Sequence, residues 1–360
     1  MKKLNVFLVC SFVLSALSSC SIKHDGNAVE TISLNGKEVI LDEDFAGIYH
    51  PKSFADGIIS EVYLPTHCGF IGKFMGDSLL SEGYVFPKGD GPYEFADVML
   101  YCEGDSAITV FNSNGGHPLT IDRIKTASVF SKEHSGWERY PLERMGGFRG
   151  GNVSFVSLSD STLLLNSGNF ETGGIFSILN YKSGELKELD WRPEDGFKGN
   201  PMVRQGAYVD NSYLYRNGDN IFYLCGNGQY GFIFTISGES LNITSPILSV
   251  YPDYSEFEDG INYVQKLNGS SYTASANDEA IYLLEKDLDM KRMKTEDDRT
   301  PRVFGNIVHV YDWEGKHIRD YSLEGEYVSI MVTSDNRTLY AITVDGETLD
   351  DRMMRFNLPL

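Results

Sequence analysis

Residues 218–243 read Gly218-Asp219-Asn220, Ile221-Phe222-Tyr223-Leu224-Cys225, Gly226-Asn227-Gly228-Gln229-Tyr230-Gly231, Phe232-Ile233-Phe234-Thr235-Ile236, Ser237-Gly238-Glu239 and Ser240-Leu241-Asn242-Ile243. Polar triplets alternate with short apolar and aromatic runs. Asp, Asn and Ser close tight turns by bonding nearby backbone, so each triplet is a turn and each run a strand. The same turn and strand recur at Gly104-Asp105-Ser106 before Ala107–Phe111 and at Ser159-Asp160-Ser161 before Thr162–Leu165. Two more are Asn277-Asp278-Glu279 before Ala280–Leu284, and Ser334-Asp335-Asn336 before Leu339–Ile342. The five aspartates fall 55, 59, 59 and 57 residues apart. Turn chemistry accounts for them without a catalytic role.

A second hairpin follows most of these runs. Ile175–Tyr181 turns through Lys182-Ser183-Gly184 into Glu185–Leu189, and Ile307–Trp313 turns through Glu314-Gly315 into Lys316–Leu323. Each unit therefore reads as about four antiparallel strands. Such a unit at this period is the sequence form of a β-propeller blade. Six units fill the 341 residues that follow residue 19, with the sixth placed at roughly Ile40 to Phe86. The expectation is an all-β, six-bladed propeller spanning residues 29–360 as one domain. Its ring is closed by pairing Val29–Leu41 with the last strand, Met353–Leu358. The densely charged Asp287–Arg302 stretch reads as an exposed loop.

The chain opens with Lys2, Lys3, an apolar run from Val6 to Leu17, and Leu17-Ser18-Ser19-Cys20. A positive start, a short apolar core and small residues before a cysteine describe an export signal over residues 1–19. The block looks like a lipobox. Cys20 is then the acylated residue of an anchored protein, residues 20–28 are its tether, and the lipid bilayer is its first partner. An ordinary secretory signal that happens to end in Cys is the alternative. Location in the outer membrane is expected, with its face left open.

Loss of residues 1–19 moves the formal charge from −20 to −22, with 29 basic against 51 acidic residues. Such a chain repels phosphate backbones, so nucleic acid is excluded as a partner. Cys68, Cys102 and Cys225 are widely spaced; one disulfide is allowed by export, and buried thiols are the favoured reading.

Lys88-Gly89-Asp90-Gly91-Pro92-Tyr93-Glu94-Phe95 resembles the Gly-x-Gly-Pro-x-Glu-Phe signature of the TolB-like six-bladed propeller lipoproteins of Bacteroidota. His309–Lys316, Tyr321-Ser322-Leu323 and Leu339–Ile342 follow the order in which that family ends. The resemblance implies an anchored six-bladed propeller with no enzymatic activity established for the class. In the motif, Gly89 and Gly91 permit unusual backbone angles, Pro92 fixes the next step, and Phe95 is an apolar plug. A structural turn is expected, with Glu94 the one member whose side chain could do more.

No residue is assigned as catalytic. There is no Gly-x-Ser-x-Gly elbow. Histidines 24, 50, 67, 117, 134, 309 and 317 form no zinc motif, so no metal or cofactor is expected. Gly226–Gly231 satisfies Gly-x-Gly-x-x-Gly, but a strand follows where dinucleotide binding needs a helix. Trp191, Tyr251 and Tyr254 lie between strand signals and are the candidate binding aromatics. The expected function is a non-catalytic binding or scaffold module for a partner protein or glycan. The alternatives are a hydrolase or lyase using carboxylates in the central channel, and a channel stapled by Ca²⁺.

Overall fold

The structure, a computed structural model, describes residues 29–42, 49–104, 106–112, 119–131, 134–142, 154–167, 172, 174–226, 229–258, 260, 263–266, 270–287, 303–344 and 351–359. The leader, Cys20, the 20–28 tether, Asp105 and nearly all of the 287–302 loop lie outside them.

Three sheets are simple four-stranded meanders, in which each strand pairs with its sequence neighbour. The first runs Val98–Glu103, Ala107–Asn112, Leu119–Lys125, Trp137–Leu142. The second runs Ser154–Ser159, Thr162–Asn166, Ser177–Asn180, Glu185–Glu188. The third runs Tyr213–Asn217, Asn220–Cys225, Gln229–Ser237, Ser240–Val250. A fourth meander, Ser270–Ala276, Ile281–Asp287, Gly305–Tyr311 and His317–Tyr327, gains Thr31–Leu34 as a parallel outer strand.

Asp253–Glu256 and Tyr263–Lys266 form a two-stranded sheet of their own, and the largest sheet has eight strands. Tyr49–Phe54, Gly57–Glu61, His67–Met75 and Ser78–Pro87 form one half; Ser329–Val332, Thr338–Val344, Asp351–Asn357 and Lys37–Leu41 form the other. Strand pairing joins the halves where Ile40 and Leu41 run parallel to Ser78 and Leu79, and Phe74 stacks on Tyr340 across them. Ring closure pairs Lys37, Glu38 and Val39 with Arg355, Met354 and Met353. The Val29–Leu41 signal is therefore two strands serving two sheets, divided at Asn35-Gly36. Gly36 at the break is closely packed, since a Cβ on it would lie 2.8 Å from the Phe356 ring.

The first strand of each meander and of each half-sheet contacts the next. Tyr49–Phe54 touches Val98–Glu103, which touches Ser154–Ser159, then Tyr213–Asn217, Ser270–Ala276, Ser329–Val332 and again Tyr49–Phe54. The innermost strands thus enclose a central channel. Between adjacent sheets lie apolar clusters, such as Phe222, Leu224 and Ile233 of one sheet against Tyr272, Leu283 and Trp313 of the next. Burial of these facing surfaces holds the ring together.

The expected hairpin turns are present, with Gly184, Gly238 and Gly315 in the left-handed region at φ 74°, 63° and 84°. In the Gly226–Gly231 segment a strand ends at Cys225 and the next begins at Gln229, paired to Val250, so no helix follows the glycines. Helices are short: α1 (Thr126–Ser131) and α2 (Pro201–Val209), the latter capped by Asn200 Oδ1 accepting from Met202 N. Among the described residues no helix is long and apolar enough to cross a membrane. Cys68, Cys102 and Cys225 are thiols, and burial pushes that of Cys68 up to about 11.

Candidate functional site: the central channel

The periodic turns read from sequence form the lip of the channel. Hydrogen bonds run from one sheet to the next around it. Arg123 Nη1 reaches Asp160 Oδ1 at 3.4 Å, Arg216 Nη1 donates to Ser157 O at 2.7 Å, and Asn217 Nδ2 donates to Asp278 O at 2.6 Å. Asn277 Nδ2 continues the series by donating to Thr333 O at 3.0 Å. In the Asn277-Asp278-Glu279 turn it is Asn277 that closes the backbone, its Oδ1 accepting from Glu279 N and Ala280 N. Asp335 closes its own turn, accepting from Thr333 Oγ1 and Arg337 N. Asp160 and Asp278 instead line the mouth.

Inside this lip is a cavity of about 430 Å³. Tyr101, Tyr215 and Trp313 supply aromatic surface, and Lys52, Glu103 and Arg216 supply charge. Glu103 is engaged, with Oε1 accepting from Thr109 Oγ1 at 2.6 Å and Oε2 from Arg123 Nη2 at 2.7 Å. Tyr215 donates its hydroxyl to Ala274 O at 2.7 Å, which fixes the ring beneath Lys52, whose Nζ sits 5.3 Å from the ring centroid. A cation above an aromatic face is attracted by the ring quadrupole.

A smaller cavity of about 150 Å³ opens at the other end, lined by His50, Lys52, Glu61 and Tyr213. A register shift between Tyr49 and Lys52 and a left-handed His50, φ 46°, distort the innermost strand here. Such bulges re-aim side chains. Burial pushes Glu61 up to about 7 against the opposing pull of Lys52, and lowers Lys52. Burial, then the charges of Lys52 and Lys286, push His50 down to about 4. Half-buried Lys52 and Glu61, with His50 exposed at the rim, make this end of the channel a candidate site. The sequence reading missed Lys52, His50 and Glu61, because no local motif contains them.

The other candidates lie elsewhere. In the 88–95 loop, Glu94 folds back so that its Oε2 accepts from Gly91 N at 2.8 Å. A Cβ on Gly89 would lie 2.0 Å from that oxygen, and Gly89 has φ 155°. Phe95 is fully buried, edge-on to Phe86 at 5.2 Å, with Pro92 O accepting from Arg139 Nη1. The motif is a turn and plug linking two sheets.

Trp191, Tyr251 and Tyr254 gather around one apolar cluster on the 213–250 sheet. Trp191 is half-buried against Phe176 and Phe232, with centroids 5.6 and 5.2 Å away. Tyr254 donates its hydroxyl to Asp195 Oδ2 at 2.5 Å. Tyr251 is 37% exposed and lies 4.7 Å from the Tyr230 ring. None of the three lines the channel cavities. Separately, His309 and His317, unrelated in sequence, meet on one sheet face.

A ring of antiparallel sheets around a central channel defines a β-propeller. No family model matches the chain, and no curated protein does. Among solved structures it is similar to a member of the DUF4221 family from Bacteroides vulgatus, at 12% identity over 90% of this chain and 97% of that one, with TM-score 0.56. That likeness is one of fold. Weaker likenesses are to the WD40 repeats of RRP9 (11% identity, 93% and 96% covered, TM-score 0.43) and to a Bacteroides caccae protein of unknown function (10%, 83% and 85%, TM-score 0.40). They add nothing to the fold assignment.

Proposed function

We propose that this chain is a lipid-anchored, six-bladed propeller of the TolB-like kind that acts as a non-catalytic binding module. The end of a glycan enters the channel mouth. The observation carrying this reading is the mouth cavity, where aromatic rings sit beside fixed donors and acceptors in a volume suited to a small polar ligand. The six-blade count is supported by the closed series of innermost strands, taking the eight-stranded sheet as two blades joined through Ile40 and Leu41. Support for acylation at Cys20 and an outer-membrane location comes from the Lys2–Cys20 sequence.

The test is calorimetric titration of the purified chain with a panel of glycans. Saturable binding is expected, weakened tenfold or more by Asp278→Ala and by Arg216→Ala, and unchanged by Tyr251→Ala. Binding lost with Tyr251 instead would move the site to the outer loops. Absence of any glycan ligand, with one protein consistently cross-linked from the membrane, would replace the glycan by a partner protein.

A second reading rests on Glu61. A carboxyl held near pKa 7 beside Lys52 is suited to proton transfer, as a channel hydrolase or lyase requires. Against it, Glu61 and Glu103 line different cavities, and Glu103 is tied to Arg123. Turnover of a bound glycan that disappears in Glu61→Gln would favour the enzyme.

A further inference from the structure

On the 270–327 sheet, whose Asp278 and Trp313 line the channel mouth, three strands bring two histidines and two carboxylates to one face outside that cavity. Glu285 lies on Ile281–Asp287, His309 on Gly305–Tyr311, and His317 and Asp320 on His317–Tyr327. His309 faces Leu283 on one side and Asp320 on the other, while Tyr311 faces His317. In a regular strand, residues three apart point to opposite faces, so His317 and Asp320 should diverge. The register slips between Val310 and Tyr311, and the extra residue turns both side chains the same way.

The side chains converge tightly. Asp320 Oδ1 lies 2.7 Å from His309 Nδ1 and 2.7 Å from His317 Nε2. The other ring nitrogen of His309, Nε2, is 2.9 Å from Glu285 Oε2, and Glu285 Oε1 accepts from Ser270 Oγ. The His317 ring is stacked on Tyr311 at 4.7 Å. His309, His317 and Asp320 keep 19%, 24% and 19% of their side-chain surface exposed, enough for a small ion to enter.

We propose that His309 Nδ1, His317 Nε2 and Asp320 Oδ1 form a binding site for a divalent transition metal of the zinc class, with Glu285 as the positioning residue behind His309. The donor set argues for it, because imidazole with one carboxylate suits zinc-like ions rather than the all-oxygen shells of Ca²⁺ or Mg²⁺. The three ligand atoms lie within 4.8 Å of one another. Tetrahedral bonds of about 2.0–2.1 Å set ligand atoms about 3.3 Å apart, so metal entry needs Asp320 to withdraw by roughly half an ångström from each imidazole.

The hydrogen-bond pattern supplies an independent argument. With Glu285 accepting the Nε2 proton of His309, the Nδ1 lone pair is left facing the Asp320 carboxylate. Two acceptors 2.7 Å apart require a cation between them, either a proton or a metal. A carboxylate behind a ligating histidine is also the arrangement that fixes its tautomer and raises its basicity. Two neutral imidazoles, Asp320, Glu285 and a divalent ion sum to zero charge. Three protein ligands leave a fourth position for water. The ion would tie two outer strands together where Thr31–Leu34 docks, since Asp320 N donates to Glu30 O at 2.9 Å and pairs with Thr31.

The test is titration of the full purified chain, stripped with chelator, using Zn²⁺ in a calorimeter and Co²⁺ in a spectrophotometer. One saturable equivalent is expected, with visible cobalt bands of four-coordinate intensity and a higher melting temperature in excess Zn²⁺. His309→Ala and His317→Ala should each abolish the bands. Glu285→Gln should weaken binding 10–100-fold at unchanged stoichiometry, and His134→Ala, outside the cluster, should change nothing. Failure of the parent chain to bind one equivalent at micromolar metal overturns the proposal and leaves a proton between His309 and Asp320. Equal binding by the His309→Ala/His317→Ala double variant overturns it too.

Discussion

The 88–95 loop and the central channel treat polar groups in opposite ways. In the loop, the N–H groups of Gly89, Gly91, Glu94 and Phe95 all find acceptors within it or on Pro87, and Arg139 reaches over to Pro92 O. Arg139 also donates from Nε to Asp122 Oδ1 at 2.6 Å. In the channel, Lys52 and Glu61 are half-buried with their pKa values displaced by burial, and His50 is exposed at the rim beside them. A motif whose groups satisfy one another is fully used by the fold. The channel groups pay an electrostatic cost that the fold alone does not repay, which makes the channel the candidate site.

The largest expected effect falls on the loop side. Asp122 is fully buried, so Arg139→Ala strands its carboxyl and should destabilise the chain by about 3 kcal/mol in urea unfolding. Adding Asp122→Ala should recover part of that loss. No recovery would show that Arg139 acts through its stacking over Phe95, 4.8 Å away, rather than through charge.

Next comes pH. Glu61 rises from 4.5 to about 7 in the fold, so its contribution is complete below about 4.5 and is lost as pH rises through 7. His50 falls from 6.5 to about 4, so its contribution is complete above 6.5 and is lost as pH falls through 4. The two trends oppose each other and mask one another in the parent. Relative to the parent, Glu61→Gln should gain stability from pH 4.5 to 7, and His50→Gln should gain it from pH 6.5 down to 4. The Glu61→Gln gain should be on the order of 2 kcal/mol by denaturation at stepped pH, and the His50→Gln gain, at an exposed and solvent-screened ring, should be smaller. Flat difference curves would mean that both side chains are solvated, erasing the contrast with the loop.

The smallest effect separates binding from stability. Lys52→Met removes a buried cation and keeps most of its volume, while Glu61 can take up a proton instead of standing as an unpaired charge. Stability at pH 6 should change by less than about 1 kcal/mol, while ligand binding at the mouth falls tenfold or more. A large stability loss with unchanged binding would make Lys52 a structural cation, like Arg139.

The fold was legible because alternation and turn chemistry are local. Asn277 and Asp335 close turns within three residues of themselves, and the 59-residue spacings follow from stacking similar units. Even the closing pair of terminal strands could be inferred, although its division at Asn35-Gly36 between two sheets depended on distant partners, Asp320–Leu323 on one side and Met353–Arg355 on the other. The three aromatics chosen as binding residues show the limit. Trp191 and Tyr254 are turned inward by Phe232 and Asp195, partners 41 and 59 residues away in the chain.

By itself the sequence determined an all-β chain of repeated antiparallel units with a plugged turn at Lys88–Phe95, because side-chain alternation, glycine placement and Asx turns act over a few residues. Only the tertiary structure decided which ionisable groups share a site. Lys52 meets Tyr215 across the channel, and His317 joins His309 through one strand irregularity. Ring closure and strand register set those distances, and a shift of one residue sends a side chain to the opposite face.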